Sequence, residues 1–67
     1  MATNKYGDYA LHGLSHRESA AVVDLLRSRG WGVHRTWRGE IVVLDIPPIK
    51  LRMMLERFPH ASFRPLD

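Results

Sequence analysis

The order of elements along the chain predicts an α+β domain, a four-stranded antiparallel sheet with two helices laid over one face. Three observations predict it. Residues 15–30 carry a capped amphipathic helix, residues 41–44 form an apolar run that ends in a proline pair, and a second apolar stripe begins just after those prolines. Strand-like segments fill the spaces between, so the pieces read βαββαβ.

Residues 1–7 are polar, end in Gly7 and read as a flexible N-terminal arm, which leaves residues 8–67 as a single domain. Residues 9–14 alternate loosely as a first strand, with Tyr9, Leu11 and Gly13 on one face and Ala10, His12 and Leu14 on the other. Ser15 followed by Glu18 is a capping box, in which each side chain satisfies a backbone N–H at the helix start. Ala21, Val22, Leu25 and Leu26 then make an apolar stripe at helical spacing. Arg27 and Arg29 suit the negative end of the helix dipole, and Gly30 stands where a left-handed cap closes the helix. Residues 31–37 read as a second strand with Val33 inward, and Arg38-Gly39 as the hairpin turn into a third strand that ends near Ile46. Pro47-Pro48 stops that strand and opens a helix, because proline suits a first turn. Leu51, Met54, Leu55 and Phe58 form its stripe, Ile49 and Met53 lie beside it, and Pro59 ends it. Residues 61–66 complete the order as a last strand, Phe63 inward and Pro65 confining it to an edge.

This order is the split βαβ, or ferredoxin-like, arrangement, in which the first and third strands are central and the second and fourth are edges. The residues agree with those places. The third strand is apolar on both faces, whereas the second carries His34, Arg35 and Thr36 and the fourth Arg64 and Pro65, side chains that protect a sheet edge. With 67 residues, 45% of them hydrophobic and no cysteine, the chain has room for one small core and no disulfide or thiolate staple. Such a domain gains from a partner, often a second copy. The longest uncharged apolar stretch, residues 41–44, is far too short to span a bilayer, and residues 1–6 have no signal core. The expectation is a cytoplasmic protein without membrane contact.

Two surfaces stand out. If Ile41 and Val43 face the helices, Val42 and Leu44 face away, and Ile46 continues that series. A single helical layer leaves this side in water, and at ~25 cal/mol per Å² covering it is worth several kcal/mol. The expectation is a homodimer that self-associates through the open sheet face at Val42, Leu44 and His12. The second surface is electrostatic. Between Asp24 and Glu40 the chain has no acid but carries Arg27, Arg29, Arg35 and Arg38, with Trp31, His34 and Trp37 interleaved. Arg and Trp suit an interface with an acidic protein surface, and they equally suit phosphates and stacked bases. Ten Lys and Arg against seven Asp and Glu give +3, which favours an acidic partner without deciding between protein and nucleic acid.

The strand order resembles that of RNA-recognition motifs, whose third strand reads basic-Gly-aromatic-small-aromatic-aliphatic. Arg38-Gly39 fits the first two places, but Glu40 and Val42 occupy the aromatic ones and Ala10 stands where the first strand needs a stacking ring. The base-stacking platform is therefore missing. Heavy-metal-binding domains of this fold carry Met-x-Cys-x-x-Cys in the first loop, where this chain has residues 14–19 with no thiol. His12 and His16 straddle a strand-to-helix junction and His60 is remote in sequence, so no metal or other cofactor is expected. Ser15 is explained by its cap, and no paired carboxylates, phosphate loop or nucleophile elbow are visible. The sequence thus reads as a non-enzymatic regulatory or adaptor protein that binds an acidic protein surface through Arg27, Arg29, Trp31, His34, Arg35, Trp37 and Arg38. The alternative is nucleic-acid binding by the same residues.

Overall fold

Backbone preferences set the ends of each element, and packing then fixes its place. A computed structural model describes residues 6–66; residues 1–5 of the expected arm lie outside the described residues. The element order is β1 (Gly7–His12), α1 (His16–Ser28), β2 (Gly32–Arg35), β3 (Ile41–Ile46), α2 (Pro48–Met54) and β4 (Ser62–Pro65). All four strands join one antiparallel sheet in the order β2-β3-β1-β4. This is the ferredoxin-like arrangement, with β1 and β3 central and β2 and β4 at the edges.

Both ends of α1 follow from residue chemistry. The Ser15 hydroxyl accepts from the Glu18 N–H at 3.1 Å, and the Glu18 carboxylate accepts from the Ser15 N–H at 2.9 Å. At the other end the Trp31 N–H reaches the Leu26 carbonyl and the Gly30 N–H the Arg27 carbonyl, each at 3.0 Å, with Gly30 at φ +89°. Those two bonds make a Schellman cap and bring Trp31 back toward the core. The buried stripe of α1 is Val22, Val23 and Leu26, rotated from the expected one: Ala21 is exposed and Leu25 half-buried. Facing Val23 inward removes more apolar surface from water than facing Ala21 inward.

Strand boundaries move for equally local reasons. β1 ends at His12 because Gly13 turns to φ +84°, and it begins at Gly7, the last residue of the expected arm. The β2–β3 turn is a three-residue hairpin: the Thr36 N–H donates to the Glu40 carbonyl and the Gly39 N–H to the Thr36 carbonyl, both at 2.8 Å. The Thr36 hydroxyl also accepts from the Arg38 and Glu40 N–H groups. α2 starts on Pro48 as expected but stops at Met54, four residues short of Phe58. Its last bonds tighten to i→i+3, from Leu55 to Arg52 and from Phe58 to Leu55. The residue before a proline avoids helical geometry, which turns the chain out ahead of Pro59.

The core lies between the sheet and the helices. Leu11, Ile41, Val43 and Ile46 from the sheet meet Val22, Val23 and Leu26 of α1 and Leu51 and Leu55 at α2. Phe63 packs against this cluster from the β4 edge and meets Tyr9 edge-on, ring centroids 5.4 Å apart. Ile46 corrects the expected alternation. Gly7 pairs with Ile46 and Tyr9 with Val43, so one residue of β1 opposes two of β3, Leu44 and Asp45. Asp45 takes the extra place at φ +54°, and its N–H donates to the Asp8 carboxylate at 2.9 Å. A bulge of this kind reverses the phase of the strand, so Ile46 turns to the helices instead of the open face.

Candidate interaction surfaces

The seven residues of the Arg/Trp segment fall within residues 27–38 of the sequence but do not share one place on the surface. Arg27 lines a groove of ≈ 400 Å³ between α1 and β2 together with His34, Arg35 and Asp24. The acid that seemed to precede the basic run therefore sits among its members. Arg29 and Trp31 lie at the far end of β2, in a groove of ≈ 450 Å³ between α1 and α2. Trp31 is half-buried and packs against the core. Its large ring closes the cap as much as it offers a contact.

Trp37 and Arg38 occupy the hairpin tip, at the opposite end of β2 from Trp31. Trp37 is 89% exposed, and the Arg38 guanidinium carbon lies 5.2 Å from its ring centroid. An indole held over by its own arginine presents one broad apolar face with a positive charge on it. Around the base of the hairpin, Arg38, Glu40 and His12 line a hollow of ≈ 310 Å³ with Gly13 and Ser19. His12 Nδ1 is 3.9 Å from the Glu40 carboxylate, and His12 Nε2 is buried with no hydrogen-bond partner among the described residues.

The open sheet face differs from the expected apolar one. Registry puts His34, Val42, Ala10 and Arg64 in one row across it. No helix covers that side, yet Val42 is 4% and Ala10 1% exposed. Neighbouring side chains on the same face therefore do the covering: two small central residues sit between long ones from the edges. Val42 is not bare as expected, and Leu44 is the half-buried apolar residue left beside it. His12 shares the face, paired in register with Ser62.

Among the described residues no three His, Asp or Glu side chains are grouped to hold a metal ion. No helix among them is long and apolar enough to cross a membrane. Comparison with known proteins finds no matching family model, no matching characterised protein and no matching solved structure. The residues missed by sequence reasoning are Lys50, Met53 and Arg57, which join Arg29 and Trp31 in the α1–α2 groove. Their signal was present in the chain: Ile49 and Met53 lie off the inward stripe of α2, and both are well exposed.

Proposed function

We propose that the protein is a small regulatory or adaptor protein acting by occupancy, docking its β2–β3 hairpin onto an acidic surface of a partner protein. Trp37 is the anchor, and Arg38 with Arg35 supplies the matching charge. The observation that carries this reading is the 89% exposure of Trp37. Folding leaves one of the two tryptophans in water at a hairpin tip, where it contributes nothing to the core and its removal costs the fold little. Tryptophan and arginine at such a place are the residue types that dominate interface energies. Self-association through the open face remains part of the proposal, but it rests on Leu44 with His12 at its margin, since Val42 is buried by its own chain.

The cation resting on Trp37 favours one second reading, nucleic-acid binding, in which the indole stacks on a base and the arginines meet phosphates. Affinity capture from host lysate, with and without nuclease, separates the two. The expected result is a partner that survives nuclease and is lost with Trp37→Ala at unchanged melting temperature, a loss of ~2 kcal/mol or about thirtyfold in affinity. A partner that vanishes with nuclease, or whose binding falls steeply between low and physiological salt, supports the nucleic-acid reading instead. Partners retained by both Trp37→Ala and Arg35→Glu/Arg38→Glu would sink the hairpin as the contact.

A further inference from the structure

From the other end of the molecule we infer a second docking surface: the α1–α2 groove receives an acidic amphipathic segment of a partner protein, its apolar face inward. The groove is ≈ 450 Å³ in volume, and its floor is made by half-buried Trp31 and Met54. Met53, 59% exposed, stands beside them, and Ile49 one turn earlier on α2 is 60% exposed. Methionine is flexible and polarisable, so it fits itself to varied apolar side chains. Arg29, Lys50 and Arg57 surround that floor against a single acid, Glu56. Among the described residues no carboxylate lies within 4.0 Å of any of the three cations, the one close pair being His12 with Glu40.

An apolar floor ringed by unpaired cations selects its occupant by charge. A basic segment is repelled, and a neutral one leaves three cations without partners. A second copy of this chain brings its own excess of positive charge, +3 overall. An acidic helix with apolar residues on one face meets both demands, laying that face on Met53 and Trp31 while its carboxylates reach the rim. The surface is independent of the hairpin, since Trp37 and Arg38 lie at the opposite end of β2 and line none of this groove.

The test uses Trp31 as its own reporter. In a Trp37→Phe background, Trp31 is the sole tryptophan. The probe is a synthetic helix with leucines along one face and glutamates along the other; the control has the same composition with the leucines scattered. Binding is expected to move Trp31 emission to shorter wavelength. Met53→Asp, and separately Lys50→Glu/Arg57→Glu, should each weaken the probe by at least about tenfold without lowering the melting temperature. Arg35→Glu/Arg38→Glu should leave it bound. The inference is overturned if the scattered control binds equally well, if Met53→Asp leaves affinity unchanged, or if a single-stranded oligonucleotide shifts Trp31 as the helix does. A chain that sediments as a dimer and becomes a monomer with Met53→Asp would also overturn it, because a second copy then fills the groove.

Discussion

Gly13 shows how one residue without a side chain fixes the meeting of two distant segments. It sits at φ +84°, and a Cβ built there falls 2.3 Å from the His60 carbonyl oxygen, a backbone atom that has nowhere to go. Gly30 has nearly the same backbone angle, φ +89°, but open space around it. The pair therefore separates conformational cost from collision. Gly30→Ala should lower stability by about 1 kcal/mol, the cost of a side chain in left-handed geometry. Gly13→Ala should lower it by about 2–3 kcal/mol, because β1 and the loop before β4 must also part. Urea unfolding measures both, and equal losses would mean that the close approach to His60 is relieved cheaply. Nothing in the sequence announces the close approach at Gly13. Gly30 was legible as a cap from the helix that precedes it, whereas Gly13 owes its role to residue 60, far along the chain.

At the scale of the element, β3 depends on its bulge. Four β3 residues, Ile41, Val42, Val43 and Ile46, are buried, and Ile46 reaches the helical core only because Asp45 adds a residue to the strand. Asp tolerates the left-handed region better than most residues, and Asp8 receives the N–H that the ladder leaves over. A β-branched residue tolerates it poorly, so Asp45→Val should cost about 1–3 kcal/mol. Asp45→Asn should stay within about 0.5 kcal/mol of the parent. Thermal unfolding of the two variants checks this; a well-tolerated valine would show that packing of Ile46, rather than backbone preference, holds the bulge. The alternation of residues 41–44 was readable because a period of two needs no knowledge of neighbours. The change of phase at Asp45 was not, since aspartate after an apolar run reads equally well as the end of a strand.

For the whole molecule, the division of surfaces matters more than total charge. The open face buries Val42 and Ala10 under its own side chains, so a lysine at Val42 places a charge where the chain has left no water. Val42→Lys should therefore lower the stability in any state of association by about 3 kcal/mol or more, with a marked fall in melting temperature. Leu44→Lys, at the half-buried position beside it, should leave the melting temperature nearly unchanged and reduce the sedimenting mass if two copies pair through this face. A sedimenting mass equal to one chain before and after that change removes self-association from the proposal. The basic segment likewise resolves into three places, one beside α1, one at the α1–α2 groove and one at the hairpin tip. Four arginines within twelve residues looked like one patch because sequence distance hides the length of β2, which carries its two ends apart.

By itself the sequence determined the βαββαβ order, the capped first helix, the proline start of the second and which strands are central, because each of these follows from local geometry and periodicity. Only the tertiary structure decided that Ile46 turns inward, that Val42 is shielded, and that Trp31 closes a core while Trp37 stands in water. Those outcomes depend on which side chains lie across a strand or beneath a helix, and such neighbours are chosen by packing, not by position along the chain.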